Sequence, residues 1–301
     1  MPPIFAHQVP CPVTPQKNLI YTVVLDAPGA EGQRFLGKML VSSLLRTFFT
    51  GDIVVFRNGE NPLFLVERKG LEEVHVETLP IIGHEGAEEA WRWKYRVAEQ
   101  LDVRGYDKVM FLDADCLALR NIDHLLEGDW DIAYQTQRGE RGDGVMFNGF
   151  LTDGEMARAA GQDGVNSGSF AVRAEIFHKV IREWQRVDEG EMTRPESGFR
   201  DQASWNALLL REQEEKGFWW KVSGNAQAPE HTLPPLKIVP FPEGEIRFPL
   251  YLDPHFLNYS QAALTHNCGG NTLQKIEFTF GLYMRTFFCD PTGLFFSILE
   301  M

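Results

Sequence analysis

The sequence predicts an α/β protein with a mostly parallel mixed sheet that is flanked by helices. The first observation behind this prediction is that short apolar runs rich in β-branched residues alternate along the chain with amphipathic segments of helical period. Such alternation is typical of βαβ units, whose strands pair in parallel. The second observation is size, because 301 residues, of which 44% are hydrophobic and 24% charged, suffice for one large domain with its own core.

The N-terminal part of the chain divides into an arm, a strand and a helix. Residues 1–17 are rich in proline and predict an irregular arm before the main domain. Residues 19–25, LIYTVVL, form an apolar run bounded by the turn residues DAPGAEG, which is typical of a fully buried strand. The segment 34–48 repeats apolar side chains at helical spacing, so a helix should follow this strand.

Four more elements extend the pattern to the centre of the chain. They are two short strands, a long helix and a further strand, at residues 52–56, 73–79, 86–101 and 108–115. The last strand ends in a pair of acids, Asp113 and Asp115. In open parallel sheets, ligands bind beyond the carboxyl ends of the strands. The two acids therefore lie where a ligand site is expected.

Strand and helix signals are more widely separated in the second half of the chain. After a short strand at residues 130–134, residues 135–164 are charged and rich in glycine, and we expect a mobile loop or lid there. Residues 165–173 predict a strand that is entered through a tight Asn-Ser-Gly turn. Helices should follow at residues 174–187 and 199–213.

The C-terminal third changes in composition. From Trp219 onward the chain is aromatic and proline-rich, which favours a C-terminal lobe that covers a site. We expect the main domain to span residues 18–275. The apolar segment 276–301 should pack on this domain or on a partner subunit, which would make a homo-oligomer.

Charge and cysteine content restrict the function classes. A net charge of −13 and a pI near 5.1 argue against a nucleic-acid surface, which needs clustered basic residues. A nucleotide phosphate can still bind an acidic protein if a divalent cation neutralises the charge. The four cysteines form no CxxC pair, so neither a structural zinc site nor a disulfide framework is expected. We expect reduced thiols and a cytoplasmic location, since no signal peptide or transmembrane segment is recognisable.

The pair Asp113 and Asp115 predicts a divalent metal site. Residues i and i+2 of a strand point to the same side, so two carboxylates would meet and repel unless a cation lay between them. Carboxylate oxygens suit Mg²⁺ or Mn²⁺, which also bind phosphate oxygens and stabilise a departing diphosphate. A bare Asp-x-Asp is a weak motif, and a role in a turn or a helix cap is the alternative.

The surrounding segment resembles a known family. Residues 106–126, YDKVMFLDADCLALRNIDHLL, resemble the Asp-x-Asp segment of glycosyltransferase family 8, the glycogenin-like retaining glycosyltransferases. Further similar segments follow the family order: KYRVAEQLDVRGYDK, VNSGSFAVR, FRDQASWNALL and LTHNCGG. The resemblance covers roughly residues 19–275. It implies the GT-A fold of nucleotide-diphospho-sugar transferases.

The resemblance also implies a donor site. It assigns the metal to Asp113, Asp115 and His266, and an imidazole as third ligand favours Mn²⁺ over Mg²⁺. It assigns contacts with the nucleotide-sugar donor to a second group, which besides the two acids contains Lys94, Ala114, Ser167, Gly269 and Asp26. It places a catalytic group beside the transferred sugar, formed by Asn166, Asp201 and Gln202.

The match to the family has departures. Thr272 stands where the family often has a lysine, and Lys275 is the nearest substitute. The first strand ends in VVLDAPG, which leaves Asp26 as the candidate for the base contact. Considered singly, Lys94 would be a solvated helix residue, and Asp201 would be a favourable charge at a helix start.

We therefore expect a metal-dependent glycosyltransferase that uses a UDP-hexose and retains configuration. The acceptor stays open among a glycan, a protein, a lipid and a small molecule. Two alternatives remain: a non-catalytic protein that binds a sugar nucleotide or a glycan, and a nucleotidyltransferase. The second is disfavoured because DAPGAEGQR is a poor version of the basic, glycine-rich loop that such enzymes carry after the first strand.

Overall fold

The structure, a computed structural model, describes residues 17–25, 31–65, 68–76, 91–194, 200–214, 236–247, 262–266 and 272–288. The strands in these ranges are β1 (Asn18–Val24), β2 (Asp52–Arg57), β3 (Leu71–His75), β4 (Lys108–Leu112), β5 (Cys116–Ala118), β6 (Ile132–Arg141), β7 (Asp163–Arg173), β8 (Ile238–Pro240), β9 (Ile246–Arg247) and β10 (Leu264–His266). The α-helices are α1 (Glu31–Arg46), α2 (Trp93–Arg96), α3 (Asp153–Ala159), α4 (Phe177–Glu189), α5 (Arg200–Glu214) and α6 (Thr272–Phe288). Short 3-10 helices lie at Val97–Gln100, Asp123–Leu126 and Ala174–Ile176.

The centre of the fold is a seven-stranded sheet in the order β3-β2-β1-β4-β7-β6-β8. The pairs β3/β2, β2/β1, β1/β4 and β6/β8 are parallel, whereas β4/β7 and β7/β6 are antiparallel. The prediction of a mostly parallel mixed sheet flanked by helices is confirmed. A second sheet has three strands in the order β5-β10-β9.

Strand β1 is buried on both faces, which explains its continuous apolar sequence. Tyr21 joins a core cluster that contains Trp184 of α4. Its neighbour Ile20 joins a different cluster, which contains Leu40 of α1. Because successive side chains of a strand point to opposite faces, helices cover both sides of the sheet.

The prediction of a mobile loop or lid at residues 135–164 is wrong. Strand β6 continues to Arg141, and residues 153–159 form α3, whose first turn is closed by a capping box of Thr152 and Glu155. Strand β6 pairs with β7 through two shifts of register. Gly139 and the charged residues after it lie at the exposed end of β6, and most of the other glycines lie in the connection between β6 and β7. This composition is hard to distinguish from that of a loop.

Three shorter predictions also need correction. The prediction of a tight Asn-Ser-Gly turn is wrong, because residues 166–168 lie inside β7. The Asn166 side chain does accept the Gly168 N–H at 2.7 Å, as in a turn, but here the bond supports a bulge opposite β6. In the described residues, the helix predicted at 86–101 is confined to 93–100. The strand predicted at 73–79 begins at Leu71 and ends at His75.

Helix α6 packs on α1. Its residues Leu282 and Tyr283 contact Met39 of α1 and Leu117 of β5. The helix runs across the boundary expected at residue 275, and residues 289–301 lie outside the described part. Of the expected C-terminal lobe, the structure describes residues 236–247, which supply β8 and β9. Among the described helices, none combines the length and the apolar character needed to cross a bilayer.

Candidate functional site

The two predicted metal-binding acids lie at the carboxyl end of β4. The chain leaves the extended conformation at Asp113 and turns, because the Cys116 N–H donates to the Asp113 carbonyl at 2.9 Å. The two carboxylates therefore meet across a turn. The prediction that they project together from an extended strand is wrong. They face His266 of β10, whose Nε2 lies 3.5 Å from Asp113 Oδ2 and 3.4 Å from Asp115 Oδ1. The three residues form one cluster.

His266 is held from its far side by a residue that the sequence analysis missed. Its Nδ1 lies 3.1 Å from Oε1 of Gln135, the first residue after the register shift in β6. Both side chains are almost fully buried, at 2% exposure each. The same amide oxygen accepts a hydrogen bond from the Ser169 hydroxyl. Gln135 thus fixes the plane of the imidazole, with Nε2 directed at the acids.

Gly168 lets the cluster close. A Cβ at this position would lie 2.0 Å from His266 Cε1 and 2.5 Å from Asp113 Oδ2, which leaves no room for any side chain. The Gly168 carbonyl accepts the Asp113 N–H at 2.8 Å, so the strand and the turn are joined at the same point. Glycine is required here for close approach and not for an unusual backbone angle.

Lys94 is a buried cation in the centre of the site. Only 8% of the residue is exposed, so the solvated position that its helix suggested is wrong. Its Nζ lies 3.1 Å from Asp113 Oδ2 and 2.9 Å from Asp201 Oδ2. Burial would lower the pKa of Lys94, but the two carboxylates outweigh it and hold the pKa well above its ordinary value. Lys94 is therefore charged and forms ion pairs with both Asp113 and Asp201.

The residues predicted to contact the sugar form a second, adjoining network. The Ser167 hydroxyl donates a hydrogen bond to Asp201 Oδ2 at 2.7 Å. The same Ser167 Oγ accepts a hydrogen bond from Lys94 Nζ at 3.3 Å. The Asn166 amide donates to Gln202 Oε1 at 3.0 Å. Asp201 and Gln202 lie in the first turn of α5, and both are buried. The structure thus brings β7 and α5 together beside Lys94.

Lys275 of α6 supplies a further cation. Its ammonium group forms an ion pair with Asp115 Oδ2. Burial would raise the pKa of Asp115, but contacts with His266 and Lys275 outweigh it and hold the pKa well below its ordinary value. Asp113 behaves similarly: burial opposes ionisation, and the charge of Lys94 and the contact with His266 lower its pKa. Both acids are carboxylates at neutral pH.

Comparison with known proteins identifies the fold. No protein-family model matches the chain, and no curated protein matches it. Among the solved structures that match is the apo structure of WbbM, a bifunctional glycosyltransferase, with a TM-score of 0.53 at 13% sequence identity. The chain has a glycosyltransferase fold. The match covers 91% of this chain and 52% of that chain, so the chain spans about half the length of its structural neighbour.

The predicted fold class, GT-A, is consistent with this glycosyltransferase fold and with the seven-stranded sheet. The narrower resemblance to family 8 stays a prediction. So do the individual roles of the site residues, although the structure brings eight of the predicted positions into the two networks: Lys94, Asp113, Asp115, Asn166, Ser167, Asp201, Gln202 and His266. Ala114 lies in the turn between the acids and is buried. Asp26 and Gly269 lie outside the described residues.

The donor atoms fit a divalent cation. Two carboxylates and an imidazole form a set of oxygen and nitrogen ligands that suits Mn²⁺. Asp115 Oδ1 is buried and, among the described residues, receives no hydrogen bond of normal geometry, although His266 Nε2 lies 3.4 Å away. A buried carboxylate oxygen without a donor is costly unless a cation satisfies it. The donor set therefore fits the metal that the sequence predicts, and metal binding itself stays a prediction.

Asp188 supports the site from behind, and no local sequence signal marked it. This fully buried carboxylate accepts hydrogen bonds from Tyr95 at 2.7 Å, Arg92 at 3.1 Å and Ser204 at 3.1 Å. Tyr95 follows Lys94 on α2, and Arg92 is the residue that precedes this helix. Ser204 lies one turn beyond Asp201 on α5. Asp188 of α4 therefore ties together the two helices that supply Lys94 and Asp201.

Proposed function

We propose that the protein is a metal-dependent glycosyltransferase that transfers a hexose from a UDP-sugar donor to an acceptor hydroxyl. The observation that carries this proposal is the meeting of Asp113, Asp115 and His266 with a buried, charged Lys94 at the carboxyl end of β4, in a glycosyltransferase fold. This is the sheet edge where α/β proteins bind their ligands.

The proposed chemistry begins with the leaving group. Asp113, Asp115 and His266 would hold Mn²⁺, or Mg²⁺ in its place, which supplies Lewis-acid charge to the departing diphosphate. Lys94 and Lys275 add positive charge on two sides of the acid cluster. Preorganised charge of this kind acts where negative charge develops during bond cleavage.

The sugar would lie against the second network. Asp201 is fixed by Lys94 and Ser167, so its carboxylate cannot turn away when the donor binds. Asn166 and Gln202 hold each other through their amides and can orient sugar hydroxyls. A carboxylate and amides placed in this way would stabilise the positive character of the anomeric carbon in the transition state. Retention of configuration rests on the resemblance to family 8.

The acceptor is the open part of the proposal. Fold does not specify it, since acceptor sites of related folds are built from variable segments. A glycan, a protein, a lipid and a small molecule all remain candidates. Self-association through α6 and the residues after it also stays a proposal.

A second candidate function has one observation in its favour. Lys94 and Lys275 already pair with Asp113 and Asp115, so the carboxylates are neutralised without a metal. This arrangement would suit a non-catalytic protein that binds a sugar nucleotide. A nucleotidyltransferase is the third alternative, and its nucleotide would react at the phosphate and not at the sugar.

Donor hydrolysis separates these functions. Purified protein is incubated with UDP-glucose and, separately, with other UDP-hexoses in Mn²⁺, and released UDP is measured. A transferase should release UDP slowly, because water replaces the acceptor, and EDTA or Asp115→Asn should abolish the release. The matched control is Asp129→Asn, since Asp129 pairs with Arg173 at the opposite end of the strands and should leave the rate unchanged. Binding of UDP without any UDP release would favour the non-catalytic alternative.

A further inference from the structure

A cysteine thiol lies beside two of the predicted metal ligands. Cys116 is fully buried at the start of β5. Asp115, Cys116 and His266 each offer one ligand atom, and these three atoms lie within 4.8 Å of one another. We call these residues the thiol triad. It shares two members with the Mn²⁺ cluster proposed above and replaces Asp113 by a sulfur ligand.

The backbone fixes the thiol triad in place. Cys116 and His266 are direct partners in the antiparallel pair β5/β10. Directly opposite residues of such a pair project to the same face of the sheet. The pairing of the two strands therefore places the thiol next to the imidazole. Asp115 is held next to them by the turn that the Cys116 N–H closes on the Asp113 carbonyl. The three side chains therefore need little rearrangement to share one ligand.

We propose that the thiol triad is a second coordination mode of this pocket and that it takes a thiophilic divalent cation, Zn²⁺. Carboxylate, thiolate and imidazole are the three side-chain ligands of zinc, and three protein ligands leave a fourth position open. Asp115 can contribute Oδ1, the buried oxygen that receives no hydrogen bond of normal geometry among the described residues. On coordination the Cys116 thiol releases its proton to solvent, and its weak contact with the Gly168 carbonyl at 3.9 Å is given up.

The two coordination modes exclude each other. Both need Asp115 and His266, so a cation in the thiol triad removes two of the three ligands proposed for Mn²⁺. Zinc also binds nitrogen and sulfur ligands more tightly than manganese does. Zn²⁺ should therefore compete with Mn²⁺ for the pocket and inhibit sugar transfer. This last consequence rests on the proposed function, whereas the thiol triad itself does not.

The test uses Co²⁺ as an optical substitute for Zn²⁺, with the full chain and no nucleotide sugar. Wild-type protein is titrated with Co²⁺ in metal-free buffer, and the thiolate-to-cobalt charge-transfer band is recorded in the near ultraviolet. We expect the band in the wild type and in Cys268→Ser, and its loss in Cys116→Ala and Cys116→Ser. Cys268 is the matched control because it is the cysteine nearest to His266 in sequence. The apparent affinity for Zn²⁺ should fall by about tenfold or more in the Cys116 variants.

The outcomes are distinct. A charge-transfer band that persists in Cys116→Ala, or that disappears in Cys268→Ser, would overturn the thiol triad. If the Cys116 variants do not fold, X-ray absorption of the Zn²⁺-loaded Cys268→Ser protein decides: one sulfur neighbour at about 2.3 Å supports the proposal, and a first shell without sulfur contradicts it. No nucleotide sugar enters either experiment, so failure of the thiol triad would leave donor hydrolysis in Mn²⁺ as an independent test of the proposed function.

Discussion

Replacing Gly168 by alanine tests whether the close approach of β7 to the acid cluster matters for metal binding. The added Cβ would lie 2.0 Å from His266 Cε1 and 2.5 Å from Asp113 Oδ2, far inside van der Waals contact. His266 cannot retreat freely, because Gln135 holds its other side at 3.1 Å. The strand cannot retreat freely either, because the Gly168 carbonyl accepts the Asp113 N–H at 2.8 Å. The imidazole or the carboxylate must therefore move out of position.

Two magnitudes follow from this geometry. Overpacking of this kind costs about 1–3 kcal/mol of the free energy of unfolding. Displacement of a metal ligand or its support typically lowers metal affinity by about 10–100-fold. We expect Gly168→Ala to lower the free energy of unfolding by about 1–3 kcal/mol, measured by urea denaturation. We expect it also to lower the Mn²⁺ affinity by about 10–100-fold, measured by isothermal titration.

The matched control is Gly161→Ala. A Cβ at Gly161 would meet no atom within 4 Å, so this variant should keep the wild-type Mn²⁺ affinity and stability. If Gly168→Ala bound Mn²⁺ as tightly as the wild type, the imidazole and the two carboxylates would not be the metal ligands, and the reasoning would be refuted.

Three further predictions concern the residues around the cluster. Lys94→Met should lower the free energy of unfolding by about 3–5 kcal/mol in urea denaturation, because it leaves two carboxylates without their buried cation. Gln135→Ala should weaken Mn²⁺ binding by about 10–100-fold in calorimetry, because His266 loses the partner of its Nδ1. Glu155 has a pKa below its ordinary value, since Arg211 and Thr152 outweigh its burial. The stability that Glu155 provides, measured against Glu155→Gln, should be complete above the ordinary glutamate pKa of 4.5 and be lost as the pH falls below it.

Each of these predictions has a control. Lys237→Met removes a lysine whose side chain is 59% exposed and should change the stability little, so an equal loss in both variants would argue against a special role for Lys94. Gln135→Glu keeps an acceptor oxygen and should bind Mn²⁺ better than Gln135→Ala. Equal affinities of these two variants would mean that the Nδ1 contact is unimportant. A difference between wild type and Glu155→Gln that does not shrink in acid would contradict the pKa argument.

The strands were predictable where burial imposes a continuous apolar sequence. Strands β1, β2 and β4 are covered on both faces, so each reads as an uninterrupted hydrophobic run. The secondary structure of residues 135–164 could not be predicted from a continuous apolar sequence. There the strand is bulged and its end is exposed, and glycine and charged residues indicate a bulge or a loop equally well.

The candidate site was predictable where a residue belongs to a local motif. Asp113 and Asp115 follow a buried strand, and Asp201 opens a helix. Gln135 and Asp188 carry no such signal. Gln135 contacts His266 across 131 positions of sequence, and Asp188 contacts Arg92 across 96. Their roles arise from the pairing of distant strands and helices, which periodicity does not encode.

The most direct test of the central claim is isothermal titration with UDP in the presence of Mn²⁺ and then of EDTA, for the wild type and for Asp115→Asn. We predict that the wild type binds UDP with Mn²⁺, and that either EDTA or the substitution removes this binding. Asp129→Asn should bind UDP as the wild type does. Binding of UDP that is indifferent to both the metal and Asp115 would contradict the claim that the acids at the end of β4 hold a metal against the nucleotide diphosphate.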